Sequence, residues 1–300
     1  MALKIATWNI NSVRLRAPLV EQFLTQAAPD VLCLQETKSP VEKIPEETFE
    51  ALGYRSVTAR GFKGYNGVAI LSRIGVEAEP HWEVCGQDDA RHCAVRLASG
   101  AILHNFYVPA GGDEPNRETN AKFDHKLRFL DEMTEWSGTL DGVHVLVGDL
   151  NIAPLEDDVW SHKQLLKVVS HTPVETDGML KLMEVGGWHD TTRADIPAPE
   201  KLFSWWSYRS KDWEAADKGR RLDHIWATPD IAPLGALRAR RLALFAASLC
   251  LWTASCDDGS ASAADGSNGG DAASSTVDEA DLDRRRPRVA DDDRTGLVEK

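Results

Sequence analysis

Short apolar runs, each about one strand long, alternate with stretches of helical periodicity through residue 235. Strand-like runs cover Ile5–Trp8, Val31–Leu34, Val68–Leu71, Ala94–Leu97, Ile102–Val108, Val143–Val147 and Leu222–Trp226. Pro18–Ala27 spaces its apolar residues at helical intervals, and Phe123–Trp136 is amphipathic. This alternation predicts a mixed α/β fold with sheets covered by helices. Periodicity leaves open whether the strands form two stacked sheets or one doubly wound sheet.

The pattern changes at Gly235 and divides the chain into three. Residues 1–235 read as one folded domain. Residues 236–256 place Arg238, Arg240 and Arg241 before the apolar stretch Leu242–Ala254 and Cys256. Residues 257–300 are rich in Ser, Gly, Ala and Asp and poor in anything to bury, so a disordered tail is expected there. The middle segment reads either as foreign sequence or as a last packed strand or helix.

With 300 residues, 42% of them hydrophobic, the chain has enough material for one large core. The formal net charge is −13, and residues 1–235 carry −10 of it. Such a body argues against a protein that coats DNA nonspecifically. A divalent ion at an acidic centre, with a local basic strip along the backbone, remains compatible with a nuclease. The five cysteines show no CxxC and no zinc spacing, which suits a reducing compartment. The first residues lead directly into a strand, and no run approaches the roughly 20 apolar residues of a membrane span. A cytoplasmic protein without a membrane partner is expected.

The chemistry concentrates at strand ends. In VHVLVGDLNIAP, Gly148 breaks an apolar run, and Asp149 and Asn151 follow two residues apart; an extended backbone would point both the same way. A carboxylate beside a carboxamide suits Mg²⁺ or a water aimed at phosphorus. LKIATWNIN delivers Asn9, DVLCLQETK delivers Glu36, AILHNFYVPAGG delivers Tyr107, and RLDHIWATP delivers Asp223. Five polar strand ends in one chain predict a site built on a sheet rim. His224, next to Asp223 on a strand, is expected to face the other way.

These five pieces, in this order, resemble the exonuclease III family of apurinic/apyrimidinic endonucleases, within the endonuclease/exonuclease/phosphatase superfamily. GDLNIAP and LQETK carry the superfamily resemblance. KGYNGVAILSR (63–73) and FSWWSYRSKDWEAADKGRRLDHIW (203–226) narrow it to DNA repair nucleases. The resemblance implies a two-sheet β-sandwich flanked by helices, four layers of deoxyribonuclease I type, with the site at one rim. It implies Mg²⁺, or Mn²⁺, held by Asn9, Glu36, Asp149 and Asn151. Tyr107, Asp149, Asn151 and Asp223 would be catalytic, with Asp149 activating water. Trp205, Trp206, Arg209, Arg220, Arg221 and Lys122 would contact DNA. The partner would be double-stranded DNA with abasic sites or 3′ ends, bound by a monomer. Plainer roles stand beside these: Asn9 capping a turn, Glu36 pairing with Lys38, Tyr107 as packing, the Trp pair as core.

One departure matters. Family members end in a Ser-Asp-His-x-Pro segment some tens of residues after the RLDHIW strand, and no such segment, and no histidine beyond His224, follows here. The final strand is therefore expected to be missing or replaced. Three functions remain in view: an exodeoxyribonuclease III type repair nuclease, a nuclease-derived protein of little turnover, and a phosphatase acting on a small phosphoester.

Overall fold

A computed structural model describes residues 3–207 and 212–229. The readings of 236–256, of 257–300, of the final strand and of Arg209 fall outside the described residues.

The N-terminal strand β1 (Ile5–Asn9) is followed by α1 (Ala17–Ala27), which has a proline in its first turn and ends in a left-handed Ala28. Next come β2 (Val31–Gln35), the short α2 (Glu46–Ala51), β3 (Ser56–Phe62) and β4 (Tyr65–Ser72). These strands form one sheet in the order β1-β2-β4-β3, with β1 and β2 parallel. Then follow β5 (Val76–Glu79), β6 (His92–Leu97), β7 (Ile102–Tyr107), α3 (Ala121–Ser137) and β8 (His144–Asp149). The remaining elements are α4 (His162–Leu165), α5 (Pro173–Gly186), β9 (His189–Asp190), α6 (Thr191–Asp195), β10 (Trp205–Trp206), α7 (Trp213–Ala216), β11 (Gly219–Arg220) and β12 (Asp223–Ala227). The second sheet runs β5-β6-β7-β8-β12-β9, and β10 pairs with β11 in a small ribbon.

Strand alternation sorts the apolar residues into layers. Val31, Cys33, Val68 and Ile70 of the first sheet meet Val95, Leu103, Val145 and Val147 of the second, making the central core. Leu32, Leu34, Ala69 and Leu71 turn outward under Phe23, Leu24 and Phe49 of α1 and α2. Phe106, Leu146 and Trp226 turn outward under Phe129, Met133, Met179 and Leu182 of α3 and α5. Two sheets face to face, each with a helical cover, give the four-layer sandwich. All seven strand-like runs are strands, and both helical stretches are helices. The pattern missed β3, whose residues are almost uniformly half-buried and so show no clean alternation. It also missed α5, although Thr172-Pro173-Val174-Glu175 carries a capping-box signature with proline at the first helical position.

Under α3, three buried histidines form a ladder across β6, β7 and β8. The backbone N–H of Trp82 donates to His92 Nδ1 (2.9 Å), so His92 keeps its proton on Nε2, which lies 3.2 Å from His104 Nδ1. His104 Nε2 lies 3.0 Å from His144 Nδ1, and His144 Nε2 lies 3.0 Å from Asp141 O. One direction of donation satisfies every ring as a neutral imidazole. Burial depresses His92 to about 3 and holds His104 well below the ordinary histidine range.

A folded-state pKa depressed below the unfolded value favours the fold above pH 6.5, and that contribution falls away as pH drops from 6.5 toward 3. Each such histidine costs about 1.4 kcal/mol per pH unit over that window. Melting temperature followed from pH 7 to 4 should therefore fall less steeply in His92→Gln than in the parent. Parallel curves would show that His92 does not titrate with unfolding.

Candidate active site

The rims of the two sheets meet at one end of the sandwich. Asn9 closes β1, and its amide Nδ2 donates to both Glu36 Oε1 and Asp149 Oδ2, each at 2.8 Å. Tyr107, the last residue of β7, donates its hydroxyl to the same Glu36 Oε1 at 2.9 Å. Asp149 closes β8 and lies directly opposite Asp223, the first residue of the antiparallel β12. Asn9, Glu36, Tyr107, Asp149 and Asp223, spread over more than 200 positions, are thus brought together. The plainer roles hold at the same time: Asn9 Oδ1 accepts from Asn11 N (3.1 Å), and Lys38 Nζ lies 2.9 Å from Glu36 Oε2.

Local backbone explains how each group is presented. Glu36 follows β2 with φ 52°, a left-handed conformation that costs a non-glycine residue energy and needs support. That support comes from both sides. Ser12 N donates to Glu36 O and Val13 N to Thr37 O, while Thr37 N and Lys38 N donate to Gly67 O and Asn66 O. KGYNG is therefore the mould of the Glu36 loop. Gly148 breaks the apolar run but not the strand, which continues through it with φ 145°. A Cβ there would lie 1.9 Å from Phe106 O of the neighbouring strand. Only glycine lets β8 run close enough to β7 to set Asp149 beside Tyr107, its register partner.

Asn151 corrects an expectation. Its φ is 53°, so the backbone from Asp149 is not extended, and side-chain alternation does not align the two residues. Instead Asn151 N donates to Asp149 Oδ1 (3.0 Å), and Asn151 Nδ2 donates to Val108 O (2.9 Å). Asp149 and Asn151 are neighbours through a tight turn. Arg91 and Ser204 escaped the sequence reading. Arg91 stacks 4.9 Å from the Tyr107 ring centre and donates to Tyr107 O. Ser204 Oγ accepts from the backbone N of Leu222 and of Asp223, both at 3.0 Å, anchoring the start of β12. Arg91 lies in no pattern that marks it, and Ser204 lies within the FSWW segment, where nothing sets it apart from the aromatics around it.

Charge is unevenly balanced across this group. Burial pushes the Glu36 carboxyl up, but Lys38 and the hydrogen bonds from Asn9 and Tyr107 outweigh it and hold the group below the usual range. Burial, with the facing Asp223 charge, raises Asp149 well above that range, and burial raises Asp223 to about 6. Burial and the Glu36 and Asp149 charges keep the Tyr107 hydroxyl protonated far past neutrality. Asp223 Oδ1 is buried without a hydrogen-bond partner. Two opposed carboxylates and an orphaned oxygen form a donor set of hard oxygens short of positive charge. Mg²⁺ typically binds through one or two carboxylates while keeping several waters. Among the described residues no group of three or more His, Cys, Asp or Glu side chains is placed to hold a metal ion.

Residues 6–245 match the model of the Endonuclease/Exonuclease/phosphatase family. The chain belongs to that family. It is 29% identical over 247 residues to exodeoxyribonuclease III of Haemophilus influenzae, a match covering 77% of this chain and 89% of the relative. The solved AP endonuclease of Archaeoglobus fulgidus aligns at TM-score 0.70 and 35% identity, covering 77% of this chain and 88% of that one. A Neisseria 3′ phosphatase solved with a product DNA hairpin aligns at 0.69 and 29%, with the same two coverages. The chain is an exonuclease III-like hydrolase on the deoxyribonuclease I-like sandwich of these relatives.

Within this family member, the expected DNA contacts separate into several kinds. Arg221 is corrected outright. It is 1% exposed, its Nε lies 3.1 Å from Asp158 Oδ1 and its Nη2 lies 2.7 Å from Asp190 Oδ2, so it braces the interior and cannot reach a phosphate. Arg220 is half-buried, with its Nη1 donating to Val169 O (2.9 Å) and Ser170 Oγ (2.7 Å) and its guanidinium 5.3 Å from the Trp205 ring centre. Trp205 is half core, packed on Ala153, Val159, Leu165 and Leu222. Trp206 Nε1 donates to Asp217 Oδ1 at 3.1 Å. Lys122 stands exposed in the first turn of α3. His224 faces away from the carboxylates, buried with Nε2 2.9 Å from Ile152 O.

Gly148→Ala should destabilise the domain by at least about 2 kcal/mol, since it combines an unfavourable φ with a backbone collision. Urea denaturation measures this directly. An unchanged midpoint would mean that β7 yields freely and that Gly148 does not set the spacing of Tyr107 and Asp149.

Proposed function

We propose that this protein is a Mg²⁺-dependent DNA repair nuclease of exodeoxyribonuclease III type. It removes nucleotides and blocking groups from 3′ ends of duplex DNA and cleaves beside abasic sites. The convergence of Asn9, Glu36, Tyr107, Asp149 and Asp223 at one rim carries the reading. The relatives described as an exodeoxyribonuclease, an AP endonuclease and a 3′ phosphatase with DNA support the substrate class. A cytoplasmic monomer goes with this function; among the described residues no helix is long and apolar enough to cross a membrane.

Each group has a chemical task. Asp149, whose carboxyl burial and the facing Asp223 raise well above the usual carboxylate range, takes the proton of the attacking water. Tyr107 keeps its proton and donates it as a hydrogen bond to a phosphoryl oxygen. Asn9 ties the Asp149 and Glu36 carboxylates together, and Asp223 faces Asp149 across the strand pair. Glu36 and Asp149 would hold Mg²⁺, with Asn9 and Asn151 beside them. When bound, the ion supplies neutralisation of phosphoryl charge. Trp205 lies in the segment anchored through Ser204 to Asp223, which suits it to border a pocket for an extruded sugar. Extrusion costs least where the base is already lost.

A second reading, slow turnover, rests on a specific observation. Among the described residues no histidine hydrogen-bonds to Asn9, Glu36, Tyr107, Asp149 or Asp223, and none follows His224. An imidazole acting on the phosphoryl group is worth about 10²–10⁴ in rate, so the purified chain should cleave slowly.

Asp149→Asn should lower the rate on an abasic-site duplex by about 10²–10⁴-fold, the contribution of one general base. A loss of less than about tenfold, some 1.4 kcal/mol in barrier, would remove Asp149 from that role. Glu36→Gln should weaken Mg²⁺ binding more than DNA binding. Calorimetry showing unaltered Mg²⁺ affinity would exclude Glu36 as a principal ligand.

A further inference from the structure

Behind the carboxylates lies an ion pair that the hydrolytic chemistry does not use. Lys126, on α3, and Glu175, in the first turn of α5, are both 0% exposed, and Lys126 Nζ lies 2.5 Å from Glu175 Oε1. The ammonium has two further bonds, to Asn151 O at 2.8 Å and Ala110 O at 3.4 Å. The carboxylate accepts from Ser170 N (2.9 Å), Thr172 N (3.1 Å) and Thr172 Oγ1 (2.7 Å). Arg220 closes the far side of this turn through Val169 O and Ser170 Oγ. One cation and one anion thus gather three segments: the loop after Tyr107, the turn after Asp149, and the 168–172 turn.

Two observations separate this from an ordinary helix cap. A cap on α5 needs only the Thr172–Glu175 exchange; a buried ammonium adds nothing to it, and its other bonds go to site loops. Gly111 also adopts φ 89°, and a Cβ there would lie 2.9 Å from Lys126 Cδ and 3.1 Å from Val169 Cγ1. The loop after Tyr107 is therefore laid directly on the lysine stem, an approach open to glycine. A buried ion pair is seldom a better stabiliser than apolar residues of the same shape. Its directional bonds specify where backbone carbonyls stand.

We propose that Lys126 and Glu175 are a positioning pair for hydrolysis, fixing the turn whose Asn151 N–H holds Asp149 Oδ1. The proposal rests on the hydrolase reading above. Loss of the pair should loosen the reacting arrangement without changing the face that meets DNA, so kcat should fall while KM holds.

The test compares the parent, Lys126→Met/Glu175→Gln and Glu175→Gln alone on a 3′-phosphorylated and an abasic duplex with Mg²⁺. The double variant removes both charges, which avoids stranding one of them. It should melt within a few degrees of the parent yet lose at least thirtyfold in kcat, with KM within threefold. Glu175→Gln should lose about tenfold in kcat. A stable double variant with parental kcat, or one whose loss lies in KM, would overturn the proposal. If the double variant fails to fold, Glu175→Gln decides: parental kcat in a folded protein overturns it equally. If the parent itself hydrolyses neither duplex, the nuclease reading fails. The pair is then judged by hydrogen exchange, where the Asn151 amide should lose protection at least tenfold in the variants while the β7 and β8 amides keep theirs.

Discussion

A single buried side chain ties the two halves of the site together. Asn105, on β7, is 0% exposed between the sheets, and its Nδ2 donates to Leu34 O and Ala69 O of the opposite sheet, both at 3.0 Å. Its Oδ1 accepts from Gln35 Nε2 at 2.7 Å, and Gln35 also reaches Thr7 Oγ1 at 2.9 Å. Hydrophobic packing between sheets is non-directional and tolerates sliding; these bonds do not. Gln35 immediately precedes Glu36, and Asn105 lies two residues before Tyr107 on the same strand. The bonds that register the sheets therefore also set the 2.9 Å contact of Tyr107 with Glu36 and the bridge of Asn9 to Asp149.

From that registration the electrostatics follow. Asn9, Glu36, Asp149, Asp223 and Tyr107 are delivered from two sheets into a small region, and the cation in direct ion-pair contact is Lys38. Burial, with repulsion from the facing Asp223, raises the Asp149 carboxyl, and burial raises that of Asp223. Such a surplus of negative charge is what the proposed Mg²⁺ would offset. The acidic balance of residues 1–235 agrees with this, since affinity for a polyanion then depends on local groups.

Elsewhere, buried charges do structural work. Asp158 takes Arg193 Nη2 at 2.5 Å and Arg221 Nε at 3.1 Å, and Arg221 continues to Asp190. This web joins the 156–158 turn to β9 and to the approach to β12, and so steadies Asp223. Arg220 and Arg221 are adjacent and chemically alike, yet one borders the aromatic segment and the other is sealed inside. Lys122 and Lys126 differ in the same way on α3: four residues apart, one is exposed and one fully buried.

Seven of the strands, helices α1 and α3 and the polar strand ends were legible in the sequence because each is a local pattern. An apolar run, a helical period or an Asp-x-Asn after a glycine needs no distant partner to be recognised. The motif residues also pointed to the family and to Asn9, Glu36, Tyr107, Asp149 and Asp223 as one site. Three things were decided only by the tertiary structure. The turn at Asn151 replaced an extended strand end because Val108 O and Asp149 Oδ1 take its amides. Arg221 became interior because Asp158 and Asp190, far away in sequence, meet it there. Lys126, Glu175, Asn105 and Gln35 look like ordinary helix-surface or strand residues in the chain. Their roles arise from partners 49 and 70 positions away. Local preference specifies which element a residue joins, whereas the direction of a charge or an amide is set by what the packed elements bring within 3 Å of it.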